Sequence, residues 1–123
     1  MVGTNALFDT NILIDYLSGV KPAREEVERY RNRSISVITW MEVMAGVMPE
    51  HEAKTRAFLT TFSSLPVTPA VAEKAAVLRR QRRINLPDAI ILATAEAGDR
   101  LLITRNTKDF PAGEMGIRVP YQL

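Results

Sequence analysis

The sequence predicts an α/β fold, a three-layer α/β/α sandwich with a central parallel sheet, formed by a single domain over residues 1–123. Short apolar, β-branched runs alternate with stretches of helical periodicity along the chain. The apolar runs are uninterrupted, as expected for strands that helices cover on both faces. A chain of 123 residues can form one core without the disulfides that its lack of cysteine excludes. Such alternation favours parallel strands joined by right-handed crossovers.

Capping and breaking residues delimit the predicted elements of the first half. Residues 6–8 form a strand, and Thr10 or Asn11 caps a helix that continues to residue 17 before Gly19 ends it. Pro22 fits the first turn of a second helix, whose acids come early and whose arginines come late, as the helix dipole favours. A strand at residues 35–38 and a helix over residues 39–49 follow.

The second half continues the same alternation. A helix is predicted over residues 50–62 and a short strand over residues 65–67. Prolines open two further helices, over residues 69–82 and 87–98. The last predicted strands are residues 101–104 and 117–119. In sheets of this kind the functional crevice lies at the carboxyl ends of the strands.

Four acids adjoin the predicted apolar runs, namely Asp9, Glu42, Asp88 and Asp109. If the fold gathers them, two carboxylates roughly 5 Å apart at an effective dielectric near 20 repel by about 3 kcal/mol. A divalent ion removes this penalty, and ligands that are all oxygen favour Mg²⁺ or Mn²⁺. The pattern therefore predicts a metal site, with hydrolysis of a phosphodiester by a metal-activated water. Polar side chains suited to orient the water or the carboxylates are Thr10, Asn11, Thr104 and Asn106.

Each acid also has a purely structural interpretation. Asp9 could cap the helix that follows it, and residues 39–42 match a capping box. Asp88 could simply oppose the positive end of its helix, and residues 106–109 could form a polar turn. Asp15, one helical turn beyond Asn11, is expected to be a solvated helix acid. The single histidine, His51, is expected to have no part in metal binding because it lacks neighbouring ligands.

The charge distribution suggests a polyanionic ligand more clearly than the net charge of +2 does. One basic cluster, near the end of the helix at residues 69–82, is a candidate for RNA backbone contacts and consists of Arg79, Arg80, Arg82 and Arg83. The alternative is that these arginines are only a solvated surface. No apolar run approaches the roughly 20 residues needed to cross a bilayer, and no signal peptide is visible, so we expect no membrane association and a cytoplasmic location.

At the four acids and their polar neighbours the chain resembles the PIN-domain ribonucleases, in particular the VapC toxins of toxin–antitoxin modules. The resemblance lies in four ordered segments, residues 8–15, 36–42, 86–95 and 102–110. It implies a PIN-like sandwich and an endoribonuclease that uses Mg²⁺ or Mn²⁺, with Asp9, Glu42, Asp88 and Asp109 as its acidic site and Thr10 and Thr104 as polar neighbours. Many relatives carry an aspartate where this chain has Asn106, which leaves Asp109 as the only acid after the fourth strand.

The resemblance also implies partners. These are a cognate VapB-type antitoxin, a second copy of the chain in a homodimer, and an RNA substrate, with transfer RNA as the family-level expectation. Operator DNA is expected to be bound only through the antitoxin. The residues themselves support a partner surface, because Met41, Met44 and Met48 add to the apolar residues that almost encircle the helix over residues 39–49. Core packing is the alternative.

Two other functions fit the acids. In an aspartyl-nucleophile phosphatase Asp9 would attack phosphorus directly, but that chemistry expects an acid where this chain has Asn11 and a lysine near the phosphate, for which Lys108 is the candidate. In a non-catalytic protein-binding module the acids would be helix caps or a socket for a basic peptide.

Overall fold

The computed structural model describes residues 3–123 and has a parallel five-stranded sheet at its centre. The strands are β1 (Asn5–Phe8), β2 (Asn32–Ser36), β3 (Ser63–Leu65), β4 (Leu101–Ile103) and β5 (Ile117–Arg118). The helices are α1 (Thr10–Leu17), α2 (Lys21–Glu28), α3 (Val37–Ala45), α4 (Glu52–Leu59), α5 (Pro69–Arg82) and α6 (Leu86–Ala97), with a 3₁₀ turn at Pro49–His51. The predicted fold class is confirmed.

The strand order β3-β2-β1-β4-β5 puts β1 at the centre of the sheet. Alternate residues of β1 face opposite layers, as the two-residue period of a strand requires. Leu7 joins a core formed with α5 and α6, whereas Phe8 joins a second core formed with α1, α2, α3 and α4. Phe8 is fully buried and packs edge-to-face against Tyr30 and Phe62. The two cores give the three layers that the sequence predicts.

Most predicted elements agree with the structure to within a few residues, but the boundary between β2 and α3 was wrong. The predicted strand at residues 35–38 ends at Ser36, and the helix begins at Val37 rather than near residue 39. The physical reason is a cap, because Ser36 Oγ accepts a hydrogen bond from the Ile38 amide at 3.1 Å. The alternative interpretation of residues 39–42 as a capping box was therefore wrong as well.

Two smaller corrections concern proline and helix length. The strand predicted at residues 65–67 is β3, which covers Ser63–Leu65 instead. It ends before Pro66 because proline has no amide proton to donate to a neighbouring strand. The helix predicted over residues 50–62 is the 3₁₀ turn followed by α4, and α3 ends at Ala45. Within residues 3–123, none of the helices is long and apolar enough to cross a membrane.

Candidate active site

The four predicted acids lie around the carboxyl ends of the central strands. Asp9 follows β1 directly and caps α1, while Glu42 is on α3, the helix that begins where β2 ends. Asp88 is in the first turn of α6, and Asp109 lies in the loop after β4. The Asp9 amide continues the sheet by donating to the Ile103 carbonyl at 2.9 Å. We refer to Asp9, Glu42, Asp88 and Asp109 as the acidic cluster.

Asp9 is the most buried member of the acidic cluster, with 3% of its surface exposed. Its Oδ1 accepts a hydrogen bond from the Thr10 amide at 2.7 Å. Its Oδ2 accepts one from Thr104 Oγ1 at 2.7 Å and one from Asn11 Nδ2 at 3.2 Å. Burial raises the pKa of Asp9 above its ordinary value, and the three hydrogen bonds oppose that rise. Asp9 thus has two roles, as helix cap and as a buried carboxyl at the sheet edge.

Asp88 is half-buried and carries the clearest electrostatic signature of the site. Its pKa is raised to about 7, first by burial, then by a hydrogen bond with the Asp109 carboxyl. The negative charges of Asp9, Asp109 and Glu42 raise it further. The fold therefore brings the other three predicted acids within electrostatic range of Asp88, and without a cation Asp88 retains a proton near neutral pH.

Glu42 is exposed but is held by a threonine from a neighbouring helix. Thr10 Oγ1 lies 2.6 Å from Glu42 Oε1 and 3.0 Å from Thr39 Oγ1. A hydroxyl has one proton, so Thr10 donates to the carboxylate, the stronger acceptor, and Thr39 donates to Thr10. Thr39 is fully buried, and sequence reasoning assigned it to a cap rather than to this contact.

The loop after β4 is a polar turn that also orients Asp109. Asn106 Nδ2 donates to Asp109 Oδ2 at 3.1 Å, and Asn106 Oδ1 accepts from the Asp109 amide at 3.2 Å. The Asn106 amide donates to Thr104 Oγ1 at 2.9 Å. Asn106 thus fixes Asp109 and connects it, through Thr104, to Asp9.

Asp15 corrects the sequence-based expectation of a solvated acid. It is 7% exposed and accepts two hydrogen bonds from the Arg105 guanidinium, at 2.8 and 3.1 Å, and one from the Tyr121 hydroxyl at 2.7 Å. Although burial opposes ionisation, these partners hold the pKa of Asp15 below its ordinary value. The Arg105 amide also donates to Asn11 Oδ1 at 3.1 Å. Arg105 thus fixes the loop after β4 against α1 through contacts with both Asn11 and Asp15.

No member of the acidic cluster forms an ion pair with any residue between 3 and 123. The structure thus contains charges that are gathered but not neutralised by arginine or lysine. Their donor atoms are all carboxylate oxygens, which suit a hard divalent ion. In the described part of the chain, no three acidic or histidine side chains are close enough to hold an ion directly. The donor chemistry fits Mg²⁺ or Mn²⁺ if water completes the coordination, as Mg²⁺ prefers.

The four arginines predicted to contact RNA differ in their environments. Arg79, Arg80 and Arg83 are exposed around the end of α5, and Arg83 has a left-handed backbone conformation with φ of 57°. Arg82 instead forms an ion pair with Glu114 from the loop before β5. The charge of Arg82 is therefore already balanced within the protein, whereas the other three remain accessible.

Sequence reasoning missed Asn85, the residue that fixes the start of α6. Asn85 Oδ1 accepts a hydrogen bond from the Asp88 amide at 2.9 Å. The signal was present, because an asparagine before Leu86-Pro87-Asp88 matches a helix cap followed by proline and an early acid. His51 is exposed in the 3₁₀ turn.

Comparisons with known proteins identify the family of the chain and relatives with the same fold. Residues 6–112 match the PIN domain family model. The chain is 34% identical over 116 residues to Ribonuclease VapC10 of Mycobacterium tuberculosis, covering 88% of this chain and 87% of that protein. It is 49% identical to a chain of a toxin–antitoxin complex from Klebsiella pneumoniae, with a TM-score of 0.91 over 97% of this chain and 100% of that one. DNA-bound VapBC from Salmonella typhimurium shares the fold at 21% identity, with a TM-score of 0.79 over 97% of this chain and 98% of that one.

Proposed function

The chain belongs to the PIN-domain family, among the VapC-type toxins, and on that premise we propose that it is a metal-dependent endoribonuclease, the toxin subunit of a type II toxin–antitoxin pair. The observation that carries the proposal is the acidic cluster, in which Asp9, Glu42 and Asp109 raise the pKa of Asp88 and no member forms an ion pair with an arginine or lysine among residues 3–123. The 34% identity to a protein named as a ribonuclease supports RNA as the substrate. The reaction is hydrolysis of a phosphodiester bond within an RNA chain.

Asp9, Glu42, Asp88 and Asp109 are the residues that would hold Mg²⁺ or Mn²⁺, directly or through water. When bound, the ion supplies an activated water and neutralises charge on the phosphate. A cation would also displace the proton that the raised pKa of Asp88 retains near neutral pH. Ion binding and deprotonation of the cluster are therefore expected to occur together.

The neighbouring polar residues position the carboxyls. Thr10, Asn11 and Thr104 fix both oxygens of Asp9, because each donates a hydrogen bond to one of them. The Thr10 hydroxyl also fixes Glu42, which is otherwise on an exposed surface. Asn106 fixes Asp109. Ligands that are held before the ion arrives lose little conformational freedom on binding it.

The exposed apolar surface of α3 is consistent with the proposed partners, a VapB-type antitoxin and a second copy of the chain. Met41 on α3 is 47% exposed, and Met48, three residues beyond the end of that helix, is 57% exposed, whereas Val43 on α3 is buried in the core. The similar chain from Klebsiella pneumoniae comes from a toxin–antitoxin complex. Operator DNA would be bound through the antitoxin, and the complex would act in the cytoplasm.

The aspartyl-nucleophile alternative is disfavoured by the environment of Asp9. That carboxyl is almost completely buried and accepts three hydrogen bonds, which reduce its nucleophilicity and its access to phosphorus. Lys108 is exposed in the loop after β4. A trapped aspartyl-phosphate would favour the phosphatase, whereas RNA cleavage without a covalent intermediate would favour the nuclease.

Sequencing of RNA ends after expression of the protein tests the proposal in cells. Expression of the wild type should generate new RNA ends at defined sites, and Asp9→Asn should abolish them. Asp99→Asn is the matched control, since Asp99 is exposed, and asparagine tolerates its left-handed backbone with φ of 52°. Purified wild-type protein should cleave RNA in the presence of Mg²⁺ or Mn²⁺, and cleavage should stop when EDTA is added. Equal RNA ends from wild type and Asp9→Asn would refute the proposal.

A further inference from the structure

A polar cavity of about 330 Å³ lies at the amino ends of the strands, on the edge of the sheet opposite the acidic cluster. The first residues of β1, β2 and β3, which are Asn5, Asn32 and Ser63, contribute to its wall. Three arginines complete the basic part of the wall, namely Arg31, Arg33 and Arg100. We call this space the amino-edge cavity.

The amino-edge cavity has three positive charges and no acidic residue in its lining. Arg31, Arg33 and Arg100 form no ion pair with any residue that the structure describes. Arg33 is oriented by an aromatic ring, since its guanidinium carbon lies 5.2 Å from the centroid of Phe62. Three like charges around one small space repel each other, and a bound anion would remove that repulsion.

Arg100 also borders a neighbouring cavity whose lining includes three acids that could balance its charge. Two of those acids, Glu96 and Glu114, already form ion pairs with Lys74 and Arg82. Asp99 is the remaining acid there, and none of the ion pairs within residues 3–123 joins it to Arg100. The charge of Arg100 therefore remains available to a ligand in the amino-edge cavity.

The lining matches one class of ligand. Guanidinium groups present planar pairs of donors that fit the oxygens of a phosphate, and the asparagine amides and the Ser63 hydroxyl add neutral donors. We propose that the amino-edge cavity binds a phosphate group, which either belongs to RNA at a point away from the cleaved bond or is free in solution. The RNA source rests on the proposed function, whereas the free-phosphate source does not.

The central strand relates this cavity to the acidic cluster. Asn5 at the start of β1 borders the cavity, and Asp9 follows the end of the same strand. Four residue steps at about 3.3 Å each separate them by about 13 Å through the sheet. A folded RNA bound around so small a domain can reach both edges, so the cavity would select for folded substrates over short oligomers.

Binding measurements on two charge-matched double variants test the proposal. Arg31→Gln/Arg100→Gln removes two charges from the cavity, and Lys21→Gln/Lys54→Gln removes two exposed charges outside it. Arg33 is left unchanged because it packs on Phe62. Each pair is placed in the Asp9→Asn background so that RNA stays intact. Fluorescence anisotropy with labelled transfer RNA measures binding of RNA phosphate. The rise in melting temperature with inorganic phosphate measures binding of free phosphate.

We expect the cavity variant to bind RNA roughly fivefold more weakly for each arginine removed, with a shallower salt dependence, and the control to bind like its parent. Unchanged RNA binding with loss of the phosphate-dependent rise in melting temperature would assign the site to free phosphate. If the two double variants behave alike with both probes, the proposal is overturned. Cleavage of a short RNA by the corresponding variants with Asp9 intact should be equal to wild type, which separates failure of this site from failure of the nuclease proposal.

Discussion

Replacing Asp88 by asparagine should stabilise the metal-free protein above neutral pH. The folded protein raises the pKa of Asp88 to about 7, from an ordinary value of 3.8. An acid with a raised pKa binds its proton more tightly when the chain is folded. Ionised Asp88 therefore destabilises the folded protein. This effect is absent below about pH 4, grows between about pH 4 and pH 7, and is constant above pH 7. Asparagine carries no charge and avoids this effect.

The magnitude follows from the pKa difference. Three pH units at about 1.4 kcal/mol each give about 4 kcal/mol as an upper limit. Asp88 is only half-buried, and its neighbours share the titration, so about 2 kcal/mol is a better expectation after allowance for solvent screening. The quantity predicted is the difference in free energy of unfolding between Asp88→Asn and wild type, compared at pH 4.5 and pH 8.

Urea denaturation in the presence of EDTA measures that difference. The stability advantage of Asp88→Asn should grow by about 2 kcal/mol from pH 4.5 to pH 8, and Asp99→Asn, an exposed acid outside the acidic cluster, is the control for the loss of one carboxylate. Millimolar Mn²⁺ should raise the melting temperature of wild type more than that of Asp88→Asn. A stability difference that is constant with pH would refute the electrostatic reasoning, and indifference of wild type to Mn²⁺ would refute the metal assignment.

Three further predictions concern other parts of the molecule. Asp15→Asn should cost about 2–3 kcal/mol in urea denaturation at pH 7, because the Arg105 charge loses its buried partner. Since folding lowers the pKa of Asp15, this cost should begin to shrink as the pH falls below about 4 and should be lost only below the lowered pKa of the folded protein. An undiminished cost at pH 3 would contradict the ion pair. Thr104→Val should raise the pKa of Asp9 further, because it removes a 2.7 Å hydrogen bond to that carboxyl. The pH profile of RNA cleavage should then move to higher pH, while the circular dichroism spectrum stays unchanged. An unmoved pH profile would exclude this role of Thr104. Met41→Glu should weaken binding of the co-expressed antitoxin in pull-down assays by at least about tenfold, with a change in monomer stability under about 0.5 kcal/mol because the side chain is exposed; retained binding would place the partner elsewhere.

Much of the fold and of the candidate site follows from local sequence patterns. Strand and helix periods, prolines at helix starts and uninterrupted apolar strands are properties of short segments, and they suffice to predict a parallel sheet covered on both faces. Since parallel strands end at one edge, the positions of Asp9, Glu42 and Asp109 relative to the strands were sufficient to predict that they gather. Their assignment as metal ligands stays a prediction that the experiments above would test.

Contacts between distant segments were decided by tertiary structure alone. Asp15 has the sequence context of a solvated helix acid, yet Arg105 and Tyr121, 90 and 106 residues further along the chain, enclose it. The pairing of Arg82 with Glu114 and the convergence of Arg31, Arg33 and Arg100 on one cavity also depend on how the layers pack. A local pattern determines which way a side chain leaves its own helix or strand. The charge that it meets there depends on the register and packing of elements far away in sequence, and no local signal contains that information.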